Sequence, residues 1–251
     1  MTRPLILLTN DDGYNAPGLE ALAASLGELG RVVVVAPERE RSAVSHTISL
    51  HKPLRVKEVR PDWYWCSGSP ADSVYIALNH ILNQTPVMVA SGINSAHNVG
   101  DDVIYSGTVA GAREASMMGI DRSVAFSCDA RKCSYEGAAA NAARICKLIL
   151  EQPPLADAFI NVNFPSDTAA DTPWQLTALG KRNYGRKVTQ STDPRGKPYY
   201  WIGGEFLGFD DIPGSDCNAV RDGFVSVSAV SLRVTDAKGQ AQMGQWPGLK
   251  G

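Results

Sequence analysis

Two adjacent carboxylates, Asp11 and Asp12, follow the apolar run Leu5–Leu8 after only Thr9 and Asn10. Adjacent ionised carboxylates repel each other, and a hard cation with oxygen ligands is the usual compensation. Asn, Asp and Gly also favour turns, so this segment by itself is equally consistent with a plain turn and with half of a metal site. Residues elsewhere in the chain must distinguish these two interpretations.

The elements that would position the two carboxylates follow an alternating strand–helix pattern. Short apolar runs bounded by turn residues are typical of buried parallel strands, and runs with helical spacing separate them. This order predicts an α/β fold with a doubly wound, mostly parallel sheet. No Gly-x-Gly-x-x-Gly lies between the first strand and the first helix, so a dinucleotide-binding site is not favoured. The predicted strands are Leu5–Leu8, Val32–Ala36, Val87–Ala90, Val124–Ser127 and Phe159–Asn163.

Polar residues follow the next two predicted strands as well. Ser42 lies in the loop after the second strand, and Asn94 and Asn98 follow the third. Alone, Ser42 is typical of a solvated loop. Because parallel strands bring their carboxyl ends to one edge of the sheet, these oxygens are expected near Asp11 and Asp12. The combination predicts a site for a divalent cation.

A further loop leads into a helix through Ser106-Gly107-Thr108. Free backbone N–H groups, the positive end of the helix dipole and two hydroxyls are suited to binding an anion. Gly107 would let an anion approach the backbone, and Gly111 would let the helix pack closely on the sheet. An ordinary N-cap explains Ser106 equally well in isolation. Because this segment is expected close to the predicted metal ligands, it predicts an anion site.

Other polar residues have structural explanations. Ser69 and Asp72 have the spacing of a capping box around Pro70. His80 and His97 lack the spacing of paired histidine ligands, and we assign neither a metal-binding role.

Composition narrows the possible partners and location. The formal net charge of the 251 residues is −2, which argues against a sequence-independent binder of nucleic-acid polymers or of a membrane surface. The five cysteines are odd in number and form no paired CxxC array, as expected for reduced thiols. The first residues show no signal-peptide pattern, and no apolar run is long enough to span a membrane. We therefore expect a cytoplasmic protein.

The pattern changes near Pro165. Residues 166–222 are rich in Gly, Pro, Asp and Arg, and Phe224–Leu232 alternates apolar residues with Ser. This alternation is typical of a β-hairpin, and we expect an arm that packs on a neighbouring subunit. The prediction is one domain over 1–251, with a core over 1–165 and an extension over 166–251 that carries the oligomerisation arm and the hairpin.

Several ordered motifs resemble those of the SurE family of survival proteins, which are metal-dependent nucleoside-monophosphate phosphatases. The resemblance covers nearly the whole chain, and several motifs in the same order are far more specific than any one alone. The motifs are Thr9-Asn-Asp-Asp-Gly13, Ala36-Pro-Glu-Arg-Glu-Arg-Ser-Ala43, Gly68-Ser-Pro-Ala-Asp72, Ser91-Gly-Ile-Asn94, Asp102-Val-Ile-Tyr-Ser-Gly-Thr-Val-Ala-Gly111, Asn161-Val-Asn-Phe-Pro165 and Ser215-Asp216 through Phe224-Val-Ser-Val227.

This resemblance implies a Rossmann-like core and one divalent metal ion per subunit, Mg or Mn. It also implies hydrolysis of 5′- and 3′-nucleotides, with short polyphosphate as a side substrate in some members, by a homodimer or homotetramer with exchanged C-terminal elements. The implied metal ligands are Asp11, Asp12, Ser42 and Asn94; the implied phosphate-binding residues are Asn98, Ser106, Gly107 and Thr108; the implied catalytic residues are Asp11, Asp12 and Asn98. The chain departs from the family pattern at Ala96, where Gly is usual, and in Ser228–Leu232.

Phosphoryl-transfer chemistry suggests that the metal neutralises phosphate charge while a water attacks in line, with Asp11 or Asp12 orienting that water. No Ser, Cys or His is placed with a base for a covalent route, so direct hydrolysis is preferred. A haloacid-dehalogenase-type phosphatase would need alternating Asp-x-Asp, whereas these acids are adjacent. A nucleotide-binding regulator without turnover is the alternative from another functional class.

Overall fold

The computed structural model describes residues 3–249 and contains thirteen strands and six α-helices. A π-helical turn, Ala77–Ile81, continues the second helix, and a 3-10 turn, Gly100–Ile104, precedes the third. The strands are β1 Leu5–Thr9, β2 Arg31–Pro37, β3 Val56–Arg60, β4 Trp63–Cys66, β5 Met88–Asn94, β6 Ser123–Cys128, β7 Ala158–Phe164, β8 Trp174–Leu176, β9 Arg182–Tyr184, β10 Val188–Thr192, β11 Pro198–Ile202, β12 Phe206–Phe209 and β13 Val225–Ser231. The helices are α1 Pro17–Leu26, α2 Pro70–Ile76, α3 Gly107–Met117, α4 Tyr135–Glu151, α5 Asp216–Arg221 and α6 Ala237–Met243.

Nine strands form one central sheet in the order β3-β4-β2-β1-β5-β6-β7-β13-β8. The strands from β4 to β7 in this order are parallel, and only β3 and β13 pair antiparallel with a neighbour. The predicted α/β fold with a mostly parallel sheet is confirmed. Among residues 3–249, no helix has the length and apolar character to cross a bilayer.

Alternating side chains of β1 supply both hydrophobic cores. Ile6 and Leu8 pack with residues of α1 and α4 on one face of the sheet. Leu5 and Leu7 pack with residues of α2 and α3 on the other face. Because both faces are covered by helices, every residue of β1 is buried, which explains why its sequence is a continuous apolar run.

The segment Phe224–Leu232 differs from its prediction as an arm. Its strand β13 lies inside the central sheet, between β7 and β8. Ser226 and Ser228 are buried there, and their hydroxyls each hydrogen-bond Thr177 Oγ1, at 2.8 and 2.7 Å. Since a buried hydroxyl is tolerated when it is hydrogen-bonded, the apolar–Ser alternation does not mark an exposed face in this case. The boundary near Pro165 between the core and the extension stays a prediction.

A projecting hairpin exists at another position. Strands β10 and β11 pair only with each other, and every residue of both strands is exposed.

Close contact of α1 with the sheet depends on Gly18. A Cβ at this position would lie 2.1 Å from the carbonyl oxygen of Ile93 and 2.8 Å from a ring carbon of Tyr135. Ile93 immediately precedes Asn94, so α1 packs directly beneath one of the predicted metal ligands.

We predict that Gly18→Ala destabilises the protein by about 1–3 kcal/mol, because the helix must move away from β5. Alanine has the higher helix propensity, so a loss can come only from this contact. Denaturant unfolding measures the change. Gly244→Ala is the control, since its nearest neighbouring atom would be 3.6 Å away. Equal stability of both variants would contradict the packing argument.

Candidate active site

The Asp pair sits in a tight turn at the carboxyl end of β1. Asn10 shapes the turn, because its side chain donates to the carbonyl oxygen of Gly13 at 2.9 Å and accepts from the Gly13 N–H at 3.2 Å. Gly13 has φ +107°, which favours glycine. The turn directs Asp11 and Asp12 to the edge where β1, β2 and β5 end.

Asp11 is 4 % exposed and lies against the first turn of α3. The hydroxyl of Thr108, itself fully buried, donates to Asp11 Oδ1. Burial raises the pKa of Asp11 to about 6; the Thr108 hydrogen bond opposes the rise, and the charge of Asp12 adds to it. A Cβ on Gly107 would lie 2.8 Å from the Asp11 Cβ. Gly107 therefore makes room for a carboxylate, a role that the sequence pattern did not indicate.

Asp12 is half-buried and is held by a residue that the sequence analysis missed. The Ser95 N–H and hydroxyl both donate to its carboxylate, each at 3.1 Å. Burial raises the pKa of Asp12; the Ser95 hydrogen bonds lower it, and the charge of Glu40 raises it further. Glu40 is thus a further acid whose charge acts on Asp12. In the sequence, the only indication of Glu40 was its position in the family motif that contains Ser42.

Asn94 is the last residue of β5, the strand next to β1. Its Nδ2 donates to the carbonyl oxygen of Ala96 at 2.7 Å, which orients Oδ1 away from that bond. Ser42 lies in the loop that contacts the pair through the Arg41 N–H, which donates to the Asp11 carbonyl at 2.7 Å. The Ser42 hydroxyl is exposed and donates to Glu40 Oε1 at 2.7 Å, so its oxygen retains lone pairs.

The predicted anion site divides into two parts. Ser106 is the N-cap of α3 and accepts from the Val109 N–H at 3.1 Å. Gly107 and Thr108 lie against Asp11, and the assignment of all three residues to phosphate stays a prediction. Asn98 lies farther along the edge, against β6 and β7, where its side chain donates to Ser127 Oγ at 2.7 Å.

The donor set fits a hard divalent cation. It offers two carboxylates with hydroxyl and carboxamide oxygens, which are ligands that Mg²⁺ and Mn²⁺ accept. No positively charged side chain is among the groups that shift the pKa values of Asp11 and Asp12. Within residues 3–249 no three His, Cys, Asp or Glu residues are grouped as a metal site would need. The neutral oxygens would therefore have to complete the coordination.

A cavity of about 520 Å³ is lined by Ala96 and His97 of the Asn94–Asn98 loop. Phe206 and Phe209 line it together with basic residues such as Arg182 and Lys132. Arg182 forms an ion pair with Asp102, and its guanidinium lies 4.5 Å from the centre of the Phe206 ring. The cavity thus combines aromatic surface with largely compensated charge.

The fold and the site define an α/β protein with clustered oxygen donors at the carboxyl edge of its sheet. Comparison with models of known families identifies the family of this chain. The model of the family described as survival protein SurE matches residues 6–186, and the chain belongs to this family. The resemblance noted in the sequence is confirmed.

Similar proteins match over most of their lengths. The 5′-nucleotidase SurE of Myxococcus xanthus is 46% identical over 234 residues, which cover 92% of this chain and 88% of that protein. The protein of the same name from an Anaeromyxobacter species is 47% identical over 231 residues, covering 90% and 89%. The crystal structure of the SurE protein from Aquifex aeolicus superposes with a TM-score of 0.85 at 39% identity, covering 96% and 98%.

We predict that Gly107→Ala weakens Mn²⁺ binding about tenfold, equivalent to about 1.4 kcal/mol, because the new methyl group must displace Asp11. Calorimetric titration of the metal-free protein measures the affinity. Gly244→Ala again serves as the control, since it adds the same methyl group without a close contact. Unchanged affinity in Gly107→Ala would show that Asp11 does not need its observed position to bind metal.

Proposed function

We propose that this protein is a divalent-metal-dependent 5′-nucleotidase that hydrolyses nucleoside monophosphates to nucleoside and phosphate. The observation that carries the proposal is the Asp11–Asp12 pair, whose pKa values are raised by burial and which lies beside the N-terminus of α3. The name 5′-nucleotidase SurE, carried by relatives that match nearly the whole chain, supports the reaction. Activity on 3′-nucleotides and short polyphosphate belongs to the same proposal.

Asp11, Asp12, Ser42 and Asn94 would hold the metal ion, Mg²⁺ or Mn²⁺. When bound, this ion would supply positive charge that offsets the charge of the phosphate oxygens. The Thr108 hydroxyl holds Asp11, and Ser95 holds Asp12, so both carboxylates are oriented before any ligand arrives. We assign Asp11 or Asp12 the role of orienting the attacking water.

Phosphate would be bound by Asn98 and by the N-terminus of α3 at Ser106, Gly107 and Thr108. The free N–H groups of a first helical turn favour an anion through both hydrogen bonding and the helix dipole. The Thr108 hydroxyl and backbone N–H both hydrogen-bond Asp11, so Thr108 would contact phosphate by releasing one of these bonds.

The nucleoside would occupy the cavity beside the Asn94–Asn98 loop. Its volume of about 520 Å³ can enclose a nucleoside, and Phe206 and Phe209 offer ring faces for a base. Both phenylalanines belong to the 166–251 extension, so this part of the chain would influence base preference.

We also propose a homodimer or homotetramer. The β10–β11 hairpin exposes Tyr200, Trp201 and Ile202, which a second copy of the chain could cover. Helix α6 has no buried residue, in keeping with exchange of C-terminal elements. A cytoplasmic location stays a prediction; the five free cysteines are consistent with a reducing compartment.

The first test is phosphate release from a panel of nucleoside monophosphates with Mg²⁺ or Mn²⁺, and then with EDTA.

We predict that Asp12→Asn lowers kcat at least about 100-fold, equivalent to about 2.7 kcal/mol, without unfolding the protein. Asp101→Asn, which removes an exposed carboxylate from the nearby 3-10 turn, should retain activity. Near-normal turnover of Asp12→Asn with metal present would refute the assignment. Release that resists EDTA would refute the metal dependence, and nucleotide binding without release would favour a regulator.

A second prediction concerns the cavity. Phe206→Ala should raise KM for nucleoside monophosphates about 3- to 10-fold, the equivalent of an aromatic contact of about 0.5–1.5 kcal/mol. KM for p-nitrophenyl phosphate should change little, since it has no nucleoside. Leu207→Ala, at an exposed neighbouring position outside the cavity, is the control. Equal effects on both substrates would place the nucleoside elsewhere.

A further inference from the structure

Asn98 is held by three fully buried polar side chains that the sequence analysis did not assign to the site. They are Ser127 in β6 and Asn161 and Asn163 in β7. Ser127 and Asn163 are direct cross-strand partners in the parallel pair. Fully buried amides and hydroxyls in neighbouring strands are costly unless each has a partner, so their grouping around one residue calls for an explanation.

The main chain of Asn98 is fixed from one side. Its N–H donates to Asn163 Oδ1 at 2.8 Å, and its carbonyl accepts from Asn163 Nδ2 at 3.0 Å. Asn161 Nδ2 donates to the same carbonyl at 2.8 Å. Three hydrogen bonds to the main chain of Asn98 leave only its side-chain torsions free to vary.

The Asn98 carboxamide makes its hydrogen bond to the described residues through one end. Its Nδ2 donates to Ser127 Oγ at 2.7 Å. Its Oδ1 accepts no hydrogen bond from residues 3–249 and is not fully enclosed, so this end of the carboxamide is accessible to solvent. In this orientation the group would present an acceptor to a phosphate, whose oxygens are themselves acceptors.

A half-turn of the Asn98 carboxamide would reverse this hydrogen bond while Ser127 keeps its position. A serine hydroxyl both donates and accepts, and the two ends of a carboxamide have nearly the same shape. If Ser127 Oγ–H donates to Asn98 Oδ1, the Asn98 NH₂ takes the solvent-accessible position instead. An NH₂ group can donate to phosphate, and an alanine at position 127 could not stabilise it in that orientation.

We propose that Ser127 is a positioning residue for phosphate binding, which donates its hydroxyl proton to Asn98 Oδ1 so that the Asn98 NH₂ faces the phosphate. The inference rests on the proposed function through the role of Asn98. Asn161 and Asn163 fix the peptide, and Ser127 selects the orientation of the carboxamide. The arrangement adds a phosphate donor without adding a charged residue.

The central experiment compares Ser127→Thr with Ser127→Val. The two side chains have nearly the same shape, and only threonine retains the hydroxyl. We expect Ser127→Val to raise both KM for a nucleoside monophosphate and the inhibition constant of inorganic phosphate about tenfold relative to Ser127→Thr, equivalent to about 1.4 kcal/mol. kcat should differ by less than about threefold, because substrate and inhibitor lose the same contact.

Two further variants separate positioning from stability. Ser123→Ala removes a buried hydroxyl from the same strand, where it donates to the Ile120 carbonyl at 2.6 Å, and should leave KM and phosphate inhibition unchanged. In an Asn98→Ala background, the Thr and Val variants should have the same KM, since no carboxamide remains to orient. A structural role of Ser127 would instead persist in that background.

Equal phosphate inhibition of Ser127→Thr and Ser127→Val would overturn the proposal, and so would a difference that persists in Asn98→Ala. Failure of the proposed function is recognised separately, as absence of hydrolysis by the unmutated protein with Mg²⁺ or Mn²⁺. In that case, protection from thermal unfolding by inorganic phosphate with Mn²⁺ still compares the two variants.

Discussion

The contact between Asp11 and the first turn of α3 is the constraint on which the site depends. A buried carboxylate needs compensation, and here the Thr108 hydroxyl and the helix N-terminus provide part of it. The helix can approach only because Gly107 has no side chain and because Gly111 lies against Thr9 and Ser91. The same approach therefore fixes the Asp pair, the position of the α3 N-terminus and the packing of α3 on β1 and β5.

The parts that the sequence could predict are those with local signals. A strand buried on both faces is a continuous apolar run, as in β1, and a hydroxyl before a helix marks its N-cap, as in Ser69 and Ser106. The alternation of these signals was sufficient to predict a mostly parallel α/β sheet. Because such a sheet has one carboxyl edge, strand ends alone indicated that Asp11, Asp12 and Asn94 lie at the same edge.

The parts that were missed depend on contacts between distant residues. Ser95 and Asp12 are 83 positions apart, and Asn98 and Asn163 are 65 apart, so no local pattern relates them. Polarity was also misleading within strands. Ser226 and Ser228 suggested an exposed hairpin, yet Thr177 satisfies their hydroxyls inside the central sheet. A strand in which every second residue is polar can hydrogen-bond those residues either to water or to a buried partner, so the alternation alone does not tell which face is exposed.

Charge explains why phosphate would also need neutral donors here. Two carboxylates balance the charge of a divalent cation, so the pair would partly offset the attraction of the metal for a phosphate dianion. Oriented dipoles would add to that attraction, namely the N–H groups at the start of α3 and the carboxamide of Asn98. A dipole attracts an anion only in the correct orientation. The buried hydrogen bonds that Ser127, Asn161 and Asn163 make to Asn98 would thus contribute to phosphate affinity, although none of these three residues needs to touch the substrate.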